Sequence, residues 1–402
     1  MSLSRRTFLA GAGALGASRL LRVQRASAQR PRSNVLVVVF LRGGLDSLHA
    51  VVPYGERAYY TLRPTIAVPR PGGDEGAALR IDRRFGFHPA LAPLKTQLED
   101  GNLAVVVATG LPQAIRSHFD AQFVMERGGA RRAGIATDGW LARAQRLLGD
   151  AGSPLRSFSV GSTNIESLAG ANAVALDGAP RGLNDPEQPF TRGLLEMYGE
   201  LSAVEGNTGA SSAQRAGSQG IASIRHYLQQ QRRARSLPET SFPTHGFGRQ
   251  LQTVSQLIRV DPGVQLVALD LGGWDTHRGE ARTMNTQLQT LATGLSAFQT
   301  SLGEDADRVV LVAVSEFGRT AAENGTQGTD HGWGTFAWVL GKRVRAGIHG
   351  RWPGLSRLFE GRDLEATTDY RDVLAHVGSE HLGVSADGLF PGFQPGARLR
   401  II

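Results

Sequence analysis

The chain has 402 residues, 41% hydrophobic and 20% charged, the composition of a water-soluble α/β protein with a substantial core. Its formal charge is +8. However, Arg5, Arg6, Arg19, Arg22 and Arg25 fall in the first 28 residues, which carry no acid, so the remainder carries +3 and has no basic run interleaved with aromatics to track nucleic acid. Cysteine is absent, which excludes disulfides, thiolate zinc sites and cysteine nucleophiles.

The N-terminus reads Ser4-Arg5-Arg6-Thr7-Phe8-Leu9, then a Gly/Ala-rich apolar run, then Ala26-Ser27-Ala28. This order resembles a twin-arginine export signal with a small-x-small cleavage site. It implies a leader over residues 1–28, the twin-arginine translocase as a partner during export, and a periplasmic or secreted mature protein. That route carries folded proteins, often with a cofactor already in place. No apolar run beyond the leader approaches the length of a membrane span.

Short, continuous apolar runs over 35–41, 103–108, 264–269, 309–314 and 336–340 predict strands buried on both faces, as in parallel sheets covered by helices. Met284, Leu288, Leu291, Leu295 and Phe298 recur at helical spacing. Phe119, Phe123 and Met125-Glu126 mark another helical pattern after Ser117. Strands alternating with helices argue for a doubly wound α/β sheet. Residues 206–220 are small and polar and read as a surface loop, and a polar helix follows over 221–235. Residues 29–402 therefore read as a single domain, with an insertion or cap at about 177–245.

The chemistry-bearing residues share one location, just past the carboxyl ends of predicted strands. Asp46 follows the first strand, Arg116, Ser117 and His118 the second, Asp275 and His277 the third, and Glu316 and Arg319 the fourth. Asp330 and His331 lie in the glycine-rich loop before the fifth. That edge is where open parallel sheets bind ligands. Converging Asp, Glu and His without Cys suit one or two divalent ions such as Zn²⁺, Mn²⁺, Mg²⁺ or Ca²⁺. Ser117 has two readings, an N-cap or a nucleophile at a helix N-terminus. His49 and His118 are the remaining histidines placed to reach the site, and Glu316 has a second reading as a loop-holding partner of Arg319.

Several long motifs, in order, resemble the bacterial family called domain of unknown function 1501. They include residues 40–48 (FLRGGLDSL), 116–120 (RSHFD), 273–277 (GWDTH), 315–320 (SEFGRT), 328–332 (GTDHG) and 350–355 (GRWPGL). The resemblance implies the alkaline-phosphatase-like superfamily: an α/β/α sandwich with a mostly parallel central sheet and two metal ions at the strand ends. Carried over residue by residue, Asp46, Asp275, His277, Glu316 and His331 would bind metal and Ser117 would be the nucleophile. Apart from the resemblance, Arg319 or Arg116 suits the clamping of an anionic group by a planar bidentate donor, with His118 as a further substrate contact. The superfamily's adjacent Asp-His after the penultimate strand is here Glu316-Phe317, with Asp330-His331 further on. The implied activity is an exported metal-dependent hydrolase of phosphate or sulfate esters, acting on a small anionic substrate. The alternative is a non-catalytic exported binding protein that retains the fold. A metal-free serine hydrolase is disfavoured, because the chain lacks a G-x-S-x-G elbow.

Overall fold

A computed structural model describes residues 32–73, 76–132, 134–150, 152–161, 165–176, 212–238, 240–396 and 399–402. The expected export leader over residues 1–28 and residues 177–211 of the expected cap lie outside them. The strands are β1 (Val35–Leu41), β2 (Val51–Val52), β3 (Leu79–Arg80), β4 (Gly86–Phe87), β5 (Leu103–Gly110), β6 (Ser157–Val160), β7 (Val174–Leu176), β8 (Leu266–Leu271), β9 (Val309–Val314), β10 (Thr335–Leu340), β11 (Gly347–His349) and β12 (Thr368–Asp369). The main sheet has the order β11-β5-β10-β9-β1-β8-β6-β7, with β12 also paired to β5. Strands β2, β4 and β3 form a small separate sheet.

The helices are α1 (Ser47–Ala50), α2 (Arg57–Leu62), α3 (Ala92–Glu99), α4 (His118–Glu126), α5 (Trp140–Leu147), α6 (Ser212–Ala234), α7 (Gly246–Val260), α8 (Glu280–Ser301), α9 (Tyr370–Val377) and α10 (Ala386–Leu389). Alternation along β1 sorts the core into two layers. Val35, Val37, Val39 and Leu41 pack with Leu251 of α7 and Leu288 of α8 in one cluster. Leu36, Val38 and Phe40 pack with Val124 of α4, Leu141 of α5 and Leu374 of α9 in the other. Burial on both faces explains why the central strands read as unbroken apolar runs. The result is the expected three-layer α/β/α arrangement around a mostly parallel sheet. The periodic residues Met284, Leu288, Leu291, Leu295 and Phe298 are all fully buried on α8, so truncating any of these leucines should cost about 2–5 kcal/mol.

Three expectations need correction. The run at 336–340 is a buried strand, but β10 is antiparallel to both β5 and β9. No crossover helix separates β9 from β10, so the chain can return directly beside the strand it has left. The antiparallel direction puts the start of β10 at the same edge as the ends of β1, β5, β8 and β9. Residues 212–220 are not a loop but the first turns of α6. Phe119 does not face the core and is 85% exposed, while Ala121, Val124 and Met125 carry the buried face of α4.

Two glycines allow the loops at this edge to close. Gly43 has φ of 122°, and a Cβ there would lie 2.6 Å from the Asp275 backbone nitrogen. At Gly318 a Cβ would meet the Gly334 carbonyl oxygen at 1.9 Å. Gly318→Ala is therefore expected to destabilise the protein by about 2–3 kcal/mol or more. An unchanged thermal midpoint would contradict this close packing.

Candidate metal centre

The loop from β9 to β10 folds back on itself. Gly318 N–H donates to Trp333 O at 3.0 Å, Gly332 N–H to Gly318 O at 2.8 Å, and Thr320 N–H to Asp330 O at 2.9 Å. This ladder places Arg319 opposite His331. The tip of the loop grips the segment after β8: Gly279 N–H donates to Thr326 O, Thr329 N–H to Thr276 O, and the Asn324 amide to His277 O. The motifs that are separate in sequence are thus tied together by backbone hydrogen bonds.

At their meeting point, Asp275 Oδ1 lies 3.0 Å from His277 Nε2, 3.2 Å from His331 Nε2 and 3.5 Å from His118 Nε2. His277 Nε2 and His331 Nε2 are 3.0 Å apart. The Nδ1 atom of each imidazole faces an acceptor: Glu316 Oε1 at 2.8 Å from His118, Asp330 Oδ1 at 3.0 Å from His277, and Arg116 O at 2.8 Å from His331. These partners assign the proton to Nδ1 in each ring, which leaves a lone pair on each Nε2. His118 Nε2 is buried and makes no hydrogen bond. Three imidazole nitrogens and a carboxylate oxygen therefore crowd together at one point. Metal-binding histidines are held in this way, with the far nitrogen donating to a carboxylate or carbonyl. Phe317, buried beneath His118 and His331, supplies an apolar floor, with ring centroids 4.8 and 5.1 Å away.

Burial works against ionisation of Asp275, yet Arg319, whose Nη1 donates to Oδ1 at 2.9 Å, holds the carboxyl below its usual range. The Arg319 Nε and Nη2 atoms are buried without a hydrogen-bond partner. Burial pushes His331 down, which favours its neutral form, whereas the hydrogen bond to Glu316 pushes His118 up. Asp330 is lowered, chiefly by the hydrogen bond with His277.

The structure thus brings Asp275, His277 and His331 together and places His118, expected as a substrate contact, beside them. Its position just after Ser117 at the same strand edge was the available signal. Glu316 is fully buried and takes another role. Its Oε1 accepts from Gly43 N–H at 2.9 Å, the Gln122 amide at 2.8 Å and His118, while Oε2 accepts from Ser315 Oγ at 3.0 Å. It orients His118, and Arg319 pairs with Asp275 rather than with Glu316.

Asp46 stands in a separate, fully buried group with His49 and Glu280. Its side chain caps α1, and both carboxylate oxygens pair with the guanidinium of Arg63. Arg116 is engaged by Asp363 and Glu360. Ser117 caps α4, accepting a long 3.4 Å bond from Asp120 N–H, and its hydroxyl is exposed. The chain neighbours on both sides of Ser117 are tied to the centre, Arg116 through its carbonyl and His118 through its ring.

The chain belongs to the family described as protein of unknown function DUF1501, whose model matches residues 33–382. No curated protein matches it. Similar solved structures include the zinc complex of the C-terminal periplasmic domain of EcEptC from Escherichia coli, at 11% identity and TM-score 0.38, covering 92% of this chain and 90% of that one. They also include the alkaline phosphatase of Thermus thermophilus, at 14% identity and TM-score 0.32, covering 72% of this chain and 61% of that one. A protein in the alkaline phosphatase superfamily from Vibrio parahaemolyticus shows 9% identity and TM-score 0.34, covering 80% and 63%. Likenesses at this level carry no argument about function. Among the described residues, no helix is long and apolar enough to cross a membrane.

Two predictions follow from these contacts. Glu316→Gln removes the charge that orients His118 without changing size, and should weaken Zn²⁺ binding about 10- to 100-fold in a chelator competition. Equal affinity would deny Glu316 that role. His49 and His88 are stacked with centroids 5.1 Å apart, and burial pushes them down to about 3 and about 4. Because both folded values lie below the ordinary 6.5, this stability is complete above about pH 6.5 and is lost as pH falls toward 4. At pH 5 each imidazole should cost about 2 kcal/mol. His88→Asn should therefore narrow the difference in urea stability between pH 7.5 and pH 5, and an unchanged difference would contradict the assignment.

Proposed function

We propose that this protein is an exported metal-dependent hydrolase of phosphate or sulfate esters, with its divalent ion held by His118, Asp275, His277 and His331. The observation that carries this reading is the crowding of three Nε2 lone pairs around Asp275 Oδ1, with each opposite nitrogen already committed to an acceptor. Asp275 Oδ1 lies 3.0 to 3.5 Å from each of the three Nε2 atoms, a spacing compatible with donors that share one ion. A nitrogen-rich set favours Zn²⁺ or a similar borderline ion over Mg²⁺ or Ca²⁺, which take oxygen ligands. When bound, such an ion supplies Lewis acidity toward an ester oxygen and lowers the pKa of a hydroxyl beside it.

The residues of the chain do the rest. Ser117 is the proposed nucleophile, set at the N-terminus of α4, where free backbone N–H groups and the helix dipole favour an anionic group. The unpartnered Nε and Nη2 of Arg319 offer hydrogen bonds to such a group, while Nη1 fixes Asp275. Arg116, held by two carboxylates, acts through its backbone carbonyl by orienting His331. The twin-arginine-like leader supports export to the periplasm or beyond.

Aryl phosphate and aryl sulfate hydrolysis should be measured for the wild type, Asp275→Ala and Ser117→Ala, with circular dichroism as a check on folding. Zn²⁺-dependent turnover is expected, with a loss of at least about 100-fold in either variant. Full activity in Ser117→Ala would remove that hydroxyl from the chemistry. Stoichiometric metal without turnover on any ester would favour a non-catalytic binding protein.

A further inference from the structure

The superfamily resemblance implies two ions, but Glu316 and Asp46, two of the ligands it implies, are already engaged by the protein. Glu316 is held by the Gly43 N–H, the Gln122 amide and the His118 ring. Asp46 is fully buried and presents both oxygens to Arg63. Arg63, itself fully buried, also donates from Nε to Ala321 O at 2.9 Å and from Nη2 to Thr320 O at 3.1 Å. The guanidinium is locked between Asp46 and the start of the β9–β10 loop.

Around Asp46 the donor atoms of His49 and Glu280 lie within 4.8 Å, the spacing of a metal-binding group. His49 Nδ1 is buried without a hydrogen-bond partner. Glu280, the first residue of α8, accepts from Thr329 Oγ1 and faces Asp46. Burial and the neighbouring Asp46 charge push its carboxyl well up. Asp46 and Arg63 thus pair through both oxygens, with Glu280 and His49 beside them. A divalent ion entering this group would lie against the guanidinium and would have to displace it from both Asp46 oxygens.

We propose that this protein binds a single divalent ion, and that the guanidinium of Arg63 takes the place of a second ion beside Asp46. The inference rests on the metal reading of His118, Asp275, His277 and His331, but it fails separately from that reading. Arg63 is then a positioning residue. It neutralises Asp46 and anchors, through Thr320 and Ala321, the loop that carries Arg319 and His331.

The test is metal stoichiometry by native mass spectrometry on the full chain, loaded with excess Zn²⁺ alone and then desalted. One ion is expected in the wild type, one in Glu280→Gln, and none in Asp275→Ala. Two ions in the wild type, the loss of an ion in Glu280→Gln, or an ion remaining in Asp275→Ala would overturn the single-ion inference. A wild type with no ion would overturn the metal reading itself. Arg63→Ala frees Asp46, and the folded variant should take a second equivalent; a folded variant with only one would contradict the place given to the guanidinium. If that variant does not fold, the wild-type and Glu280→Gln counts still decide the number of ions.

Discussion

Four electron-rich atoms meet at one edge of the sheet, and much of the surrounding structure is arranged around them. His277 and His331 bring their Nε2 atoms to 3.0 Å, and Asp275 Oδ1 sits against both. Bare lone pairs at that distance repel. The rings stay in place because Glu316, Asp330 and the Arg116 carbonyl hold their opposite nitrogens. Arg319 offsets part of the charge on Asp275, and Phe317 closes the floor. The loop ladder between residues 318–320 and 330–332 exists at the same edge because β10 runs antiparallel to its neighbours.

The two acidic groups near this edge meet opposite fates for electrostatic reasons. Asp275 is half-exposed, has one guanidinium contact through a single oxygen, and keeps company with imidazole lone pairs. Asp46 is wholly buried, and a bidentate guanidinium neutralises it. A buried carboxylate without such a partner would be strongly destabilising. Arg63 therefore makes Asp46 a structural anchor, while Asp275 remains available to a ligand.

The sheet was legible wherever strands are buried on both faces, because β1 and β9 then read as unbroken apolar runs with correct ends. The short strands β6, β7, β11 and β12 carry no such signal: Ser157–Val160 alternates polar and apolar residues within four positions. The direction of β10 was not legible, since burial on both faces arises in either orientation. Asp275, His277 and His331 were legible as a group because each lies at a strand end beside glycines. The roles of Glu316 and Asp330 were not, because a carboxylate that orients an imidazole has the same residue type as one that binds an ion. Arg63 lay outside every motif, and its partnership with Asp46 depends on α2 folding under the β9–β10 loop.

The most direct test of the centre is isothermal titration of Zn²⁺ into the apo protein at pH 7.5, for the wild type and for His331→Ala. The account predicts tight binding in the wild type, and at least about 100-fold weaker binding once one of the three imidazoles is gone. Absence of binding in a folded wild type, or equal affinity in His331→Ala, would contradict it.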